Sequence, residues 1–289
     1  MRARAIAFGP EALRTSAQPM VRLRWLGTAG FELACEGRRL LIDPYLTRPS
    51  LGRCLRGPLR PDRDIVHHYV PAADVIVLGH THFDHALDVP AIVHRTGATV
   101  VGSRSAMALC RSAGILAAQL REVEPSATET AAFRFGPFEL ECARSEHAPI
   151  AAGRIPFPGD IDDAQGLPLY AHQYRCGTVL STTVRVAGRK IVHLGSAAIP
   201  EAPAATEPTD LVLLCASGWH ASTDVPERTV RQLAPRAVLL SHWDDFFRPL
   251  RRPLRQLPGV RLGQLVKRLR RADADVAVGT VPAFAPQWL

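Results

Sequence analysis

Lysine is nearly missing from this chain: all but Lys190 and Lys267 of its 35 basic residues are arginine. That bias fits GC-rich coding as well as it fits function, so the formal charge of +8 does not by itself assign a partner. Aromatic residues make up only 6% and are not interleaved with the arginines. This argues against the base-stacking platforms of single-strand nucleic-acid binders. No apolar run reaches the roughly 18 residues needed to cross a bilayer. The basic start, Met1 to Pro10, has an apolar stretch too short for a secretion signal. Residues 1–20 have no periodicity and read as a disordered arm ahead of one domain over 21–289. The six cysteines, at 35, 54, 110, 142, 176 and 215, form no CxxC pair and no tight framework. Cys35, Cys142 and Cys215 lie in apolar runs and read as small buried hydrophobes, which favours a reducing cytoplasm.

Against these absences stands one dense stretch. Residues 74–85 read Asp-Val-Ile-Val-Leu-Gly-His-Thr-His-Phe-Asp-His. The apolar run from Val75 to Leu78 has the look of a buried strand ending at Gly79. His80, His82, Asp84 and His85 follow it at once, four metal-capable side chains within six residues. Imidazole suits zinc and related transition metals, and a carboxylate neutralises charge. A single histidine here would read as a core or surface group. Three with an aspartate, straight after a strand, read as a metal site. With 289 residues, 47% of them hydrophobic, the chain can bury a large core within one domain.

His80-Thr81-His82-Phe83-Asp84-His85 matches the HxHxDH motif, and the chain resembles the metallo-β-lactamase superfamily. Trp25-Leu26-Gly27-Thr28-Ala29-Gly30-Phe31 and Leu40-Leu41-Ile42-Asp43-Pro44 resemble its opening hairpins. Ser145-Glu146-His147 and Ser241-His242-Trp243-Asp244-Asp245-Phe246, each after a strand-like run, are similar to its later histidine motifs. Order and spacing resemble the branch of ascorbate-phosphate lactonase-like hydrolases, over residues 21 to 245. The resemblance implies an α/β fold, a four-layer αββα sandwich. It also implies a zinc-dependent hydrolase that uses metal-bound hydroxide on a small lactone, ester or phosphoester. His80, His82 and His147 would form an open zinc site, with Asp84, His85 and His242 forming a second beside it. Asp84 would also orient the nucleophile and pass its proton to the leaving group.

In much of that superfamily an aspartate after a strand bridges the two metals. Here the matching place, Lys190 to Ser196, ends in serine, and a neutral hydroxyl cannot replace the anionic bridge. Two outcomes stay open: two zinc ions bridged without a carboxylate, the favoured one, or a mainly mononuclear site. Glu201 and Glu207 offer carboxylates nearby, but their Pro- and Ala-rich setting reads as a solvated loop. Asp43 and Asp244 are expected behind the ligands, orienting them. His172, Tyr174 and His220 are candidate substrate contacts. A phosphodiesterase or nuclease of the same fold is the alternative enzyme, and a catalytically inactive binding module the alternative of another class.

Strands are expected near 21–27, 31–35, 39–43, 74–78, 98–102, 131–142, 210–215 and 236–240. Residues 177–186 and 188–194 read as a hairpin turning at Ala187-Gly188. Helices are expected over 86–94, 104–112 and 225–233, and Leu262, Leu265, Val266 and Leu269 fall at helical spacing. The Arg-rich region from Arg248 to Arg255, with Lys267 to Arg271, reads as a solvated face or as a patch for an anionic group. Residues 148–170 are irregular, carry Ile150, Ile155, Phe157 and Ile161, and are expected to form a lid over an apolar part of the substrate.

Overall fold

A computed structural model describes residues 21–150, 153–200, 206–222 and 224–289, so the expected N-terminal arm and Glu201 lie outside the described residues. The first half opens with an antiparallel meander, β1 (Arg22–Gly27), β2 (Gly30–Cys35) and β3 (Arg38–Ile42). It continues with parallel strands β4 (Val75–Val77), β5 (Thr99–Gly102) and β6 (Leu120–Glu122). The second half repeats the plan. β7 (Thr130–Phe135), β8 (Phe138–Arg144), β9 (Leu180–Val186) and β10 (Arg189–Leu194) are antiparallel. β11 (Thr209–Cys215), β12 (Pro235–Ser241) and β13 (Ala277–Gly279) then add in parallel. The final strand, β14 (Gln287–Trp288), returns to pair with β1. Two mixed seven-stranded sheets result.

Alternation along the strands sorts side chains into three cores. Val75 and Val77 join Phe31, Phe138, Ile191 and Leu239 between the sheets, whereas Ile76 faces the helices on the first sheet's outer side. Those helices are α1 (Leu51–Arg56), α2 (Arg63–Tyr69), α3 (Phe83–Ala86), α4 (Val89–Thr96) and α5 (Arg104–Ser112). On the other side Val192, Val212 and Val238 pack against α6 (Val225–Leu233) and α7 (Leu262–Ala272). α7 buries Leu262, Leu265, Val266 and Leu269, the set expected from spacing. The layers run helix, sheet, sheet, helix, a single αββα sandwich.

Two details depart from expectation. The helix expected over 86–94 is divided into α3 and α4, because Pro90 lacks the N–H a continuous helix would need there and sits instead in the first turn of α4. The strands expected near 131–142 are present as the β7–β8 hairpin, with Gly136 at φ +55 in its turn. Helices α1 and α2 and the short edge strands β6, β13 and β14 have too few residues to show a period. The Ala187-Gly188 turn has both residues at positive φ, 47° and 72°, as the twist of a tight hairpin requires. All six cysteines are free thiols, five buried and Cys54 half-buried.

Candidate metal centre

Ligands in open α/β sheets collect beyond the carboxyl ends of parallel strands, and β4 and β12 deliver metal-capable side chains there, joined by one from the antiparallel strand β8. After β4 the chain passes Gly79 and presents His80 and His82, and α3 turns Asp84 and His85 the same way. The second sheet supplies His147 beyond β8 and His242 beyond β12. The rings of His80, His82 and His147 form a near-equilateral triangle, with centroids 4.8, 4.9 and 4.8 Å apart. Asp84, His85 and His242 form a second group, and within each group the ligand atoms lie within 4.8 Å of one another. His80 and His85 rings, 3.8 Å apart, adjoin the two groups.

Hydrogen bonds fix which ring nitrogen is free. His147 donates from Nδ1 to the Ala148 carbonyl at 2.7 Å, which leaves Nε2 unprotonated. His82 donates from Nε2 to Pro156 O at 2.8 Å, leaving Nδ1. His85 donates from Nδ1 to Asp43 Oδ2 at 2.8 Å, and Gly79 N–H donates to the other Asp43 oxygen at 2.6 Å. Neither nitrogen of buried His80 has a partner, nor has Nδ1 of His242. Orphaned buried imidazole nitrogens are costly unless something else binds them, and a cation among these rings is the occupant their lone pairs suit. The residues therefore fit the metal the motif implies.

Electrostatics agree with that fit for His80, His82 and His147, since ligating imidazoles must be neutral. Burial, with the neighbouring rings, holds His80 well below the ordinary imidazole range. Burial likewise pushes His147 down to about 4 and lowers His82. Burial works against charge on His85 too, but the Asp43 carboxylate outweighs it and raises the ring's pKa. Burial alone would raise Asp84. The hydrogen bond from His242 and the surrounding imidazoles instead hold its carboxyl well below the usual range.

Asp43 is wedged between two glycines. A Cβ on Gly195 would stand 2.6 Å from its Oδ2, and one on Gly79 would stand 2.9 Å away. Asp244 has a different task from orienting a ring. It pairs with fully buried Arg48 and accepts from Thr28 N–H at 3.0 Å, while His242 N–H donates to Thr28 O at 2.7 Å. The ion pair therefore locks the His242 turn onto the first hairpin through the backbone. Ser196 accepts from Ala148 N–H at 2.9 Å and so holds the peptide next to His147.

These groups floor a cavity of about 530 Å³. Its walls are apolar: Leu51, Ile150, Pro156, Phe157, Phe246 and Phe247. Among the described residues no lysine or arginine lines it. A family model for the beta-lactamase superfamily domain matches residues 38–243. The chain belongs to the β-lactamase superfamily. A metal-dependent hydrolase of Thermococcus onnurineus is 27% identical over 233 residues, 78% of this chain and 86% of that protein. One from Aeropyrum pernix is 39% identical over 83 residues, a match spanning 28% of this chain and only 29% of that protein. Igni18, a metallo hydrolase from Ignicoccus hospitalis, superposes with a TM-score of 0.60 at 15% identity, covering 93% of this chain and 98% of that one. The last likeness is one of fold.

Other residues singled out in the sequence lie away from the superfamily site. Tyr174 is buried in the helical layer and lines a separate cavity with Leu59, Arg60 and Leu109. His172 is exposed beside Tyr170, and His220 is exposed beside Trp219. None of the three lines the cavity over the histidines; each falls on a turn whose backbone faces it elsewhere. Glu207 is on the surface, paired with Arg185 and Lys190. Of the expected lid residues Ile150 and Phe157 line the cavity, but Ile161 packs in the helical core. Phe246 and Phe247 line it without having been anticipated. Their signal was adjacency to His242, since no periodicity marks so short a turn.

Proposed function

We propose that this chain, a metal-dependent hydrolase of the β-lactamase superfamily, holds two zinc ions and cleaves a small neutral lactone or ester with an apolar substituent. His80, His82 and His147 would hold one ion, and Asp84, His85 and His242 the other. When bound, zinc acts as a Lewis acid and makes water acidic enough to ionise near neutral pH. The chain's own residues do the rest. Asp43, fixed by Gly79 N–H, holds His85 in one tautomer with Nε2 outward. The Pro156 and Ala148 carbonyls do the same for His82 and His147. Asp84 stays ionised, with Oδ2 3.2 Å from His242 Nε2, and would take the proton of the attacking water and return it to the leaving group.

The observation that carries this reading is the join of six ligand-type side chains to an apolar cavity without a cationic side chain in its wall. A phosphodiester would be expected to meet arginine or lysine beside the scissile group, so the carbonyl substrate is preferred over a phosphoester or nucleic acid. Six free thiols support a cytoplasmic setting, and among the described residues no helix is long and apolar enough to cross a membrane. The test is turnover of a panel of acyl lactones, acyl esters and phosphodiesters by zinc-loaded enzyme. Carbonyl substrates should be hydrolysed and phosphodiesters spared. The reverse order would reject the neutral-substrate reading, and no turnover with zinc bound would favour a binding module.

A further inference from the structure

Large exposed apolar side chains gather around the mouth of the cavity. Helix α1, which has no buried residue, presents Leu51 and Leu55 at i and i+4, 53% and 74% exposed. Leu51 also lines the cavity. Ile150, Ile155 and Phe157 are 39–48% exposed, and Ile150 and Phe157 stand with Leu51 on the cavity wall. A soluble surface seldom leaves such a cluster without a partner.

Basic residues accompany the apolar ones on every segment that forms the mouth. α1 carries Arg53 and Arg56, and Arg154 precedes Ile155. Arg251, Arg252 and Arg255 stand exposed in the turn between Phe247 and Leu257, both of which line the cavity. Among the described residues none of these six arginines has a carboxylate within ion-pair distance, whereas at least eleven other arginines do. The one carboxylate on the cavity wall outside the metal-ligand groups, that of Asp245, accepts from Phe247 N–H at 3.1 Å. The mouth is thus an apolar ring set in uncompensated positive charge.

We propose that the mouth of the cavity docks on an anionic lipid surface, with Leu55 and Phe157 entering the interface and the arginines meeting headgroup phosphates. Apolar side chains and polybasic clusters bind such surfaces jointly, each too weak alone. The docked orientation lets an amphiphilic substrate pass from the membrane into the apolar cavity without crossing water. Charge complementarity selects an anionic lipid surface, because α1, Arg154 and the 251–255 turn each bring arginine to the mouth, and neither α1 nor that turn carries an acidic residue.

The test is co-sedimentation of the full chain with vesicles of phosphatidylcholine alone and of equal parts phosphatidylcholine and phosphatidylglycerol. Binding is expected to the mixed vesicles only and to weaken as salt is raised. Leu55→Glu, which touches neither core nor cavity wall, should reduce it about tenfold or more, as should Arg251→Glu with Arg252→Glu. Melting temperature and metal content should stay unchanged. Equal binding to both vesicle types, no binding, or indifference to these substitutions would overturn the proposal. So would a dimer by light scattering that Leu55→Glu dissociates, since the patch would then seat a second copy. The readout needs no turnover, so it succeeds or fails independently of the substrate assigned above.

Discussion

On the floor of the cavity the side chains are polar, buried and held from several elements, whereas on its walls Leu51, Ile150 and Phe157 are half-exposed and held by little beyond their own segments. His85 is fixed by Asp43, Asp43 by Gly79 N–H and by the absence of a Cβ on Gly195. His242 is fixed through Thr28 by an ion pair that leaves no solvent access to Arg48 or Asp244. Phe157, by contrast, is tied through its carbonyl to Cys176 N–H, and its ring reaches the floor only as an edge-on contact with His82 at 6.4 Å. The floor is built for one geometry and the walls for a range of shapes. Under the function proposed above, chemistry would belong to the first and substrate choice to the second.

That contrast can be broken from the floor first. His82→Ala and Asp84→Ala should each lower turnover by about a thousandfold or more, with circular dichroism and melting confirming a folded chain. Retained activity in either variant would remove that residue from the chemistry. Next in size, Asp43→Asn or Gly195→Ala should weaken metal affinity by roughly 10–100-fold, the usual cost of disturbing a partner behind a ligand, read by competition with a chelating dye. Phe157→Ala should do the opposite of the floor variants. KM for an apolar ester should rise about tenfold while kcat and metal content hold, because a wall contact is made equally in ground and transition states. A fall in kcat alone would place Phe157 with the floor.

The smallest effect lies behind the floor. Asp88, fully buried, accepts from Leu46 N–H at 2.6 Å and Thr47 N–H at 2.9 Å and from the Thr47 hydroxyl. Burial raises its carboxyl from 3.8 to about 6 despite those hydrogen bonds. A raised acid is protonated in the fold while the unfolded chain has already ionised. Its stabilising contribution is therefore full below about pH 4 and is lost as pH rises through about 6. Denaturant melts of metal-free protein should show a decline on the order of 2–3 kcal/mol over that window. Asp88→Asn, which keeps an acceptor for the two N–H groups and donates to Thr47, should flatten it.

The layers and the ligands were legible in the sequence for one reason. Buried parallel strands such as β4, β11 and β12 are continuous apolar runs, and the chemistry sits at the residue where each run stops. His80 and His242 are such residues, while His147 follows the alternating antiparallel strand β8 and is marked by its motif instead. What lay beyond reading was whatever depends on two distant turns meeting. Nothing local in Asp244 points to Arg48, or in Ser196 to the Ala148 peptide. Phe246 and Phe247 become cavity wall only because the β12 turn folds over α3. Tyr174, His172 and His220 stand out only by residue type near irregular chain, and type does not say which way a turn faces. Ile161 was grouped with Phe157 by hydrophobicity, yet Ser105 Oγ accepts its N–H and the segment turns inward.

The most direct test of the account is metal content per chain by elemental analysis of protein purified without chelator, repeated on Asp84→Ala. Close to two zinc ions, falling to about one in the variant with the His80–His82–His147 ion retained, is the predicted result. A single ion in the native protein, unchanged by Asp84→Ala, would contradict the two-ion floor. No metal, even after zinc is added back, would contradict the site itself.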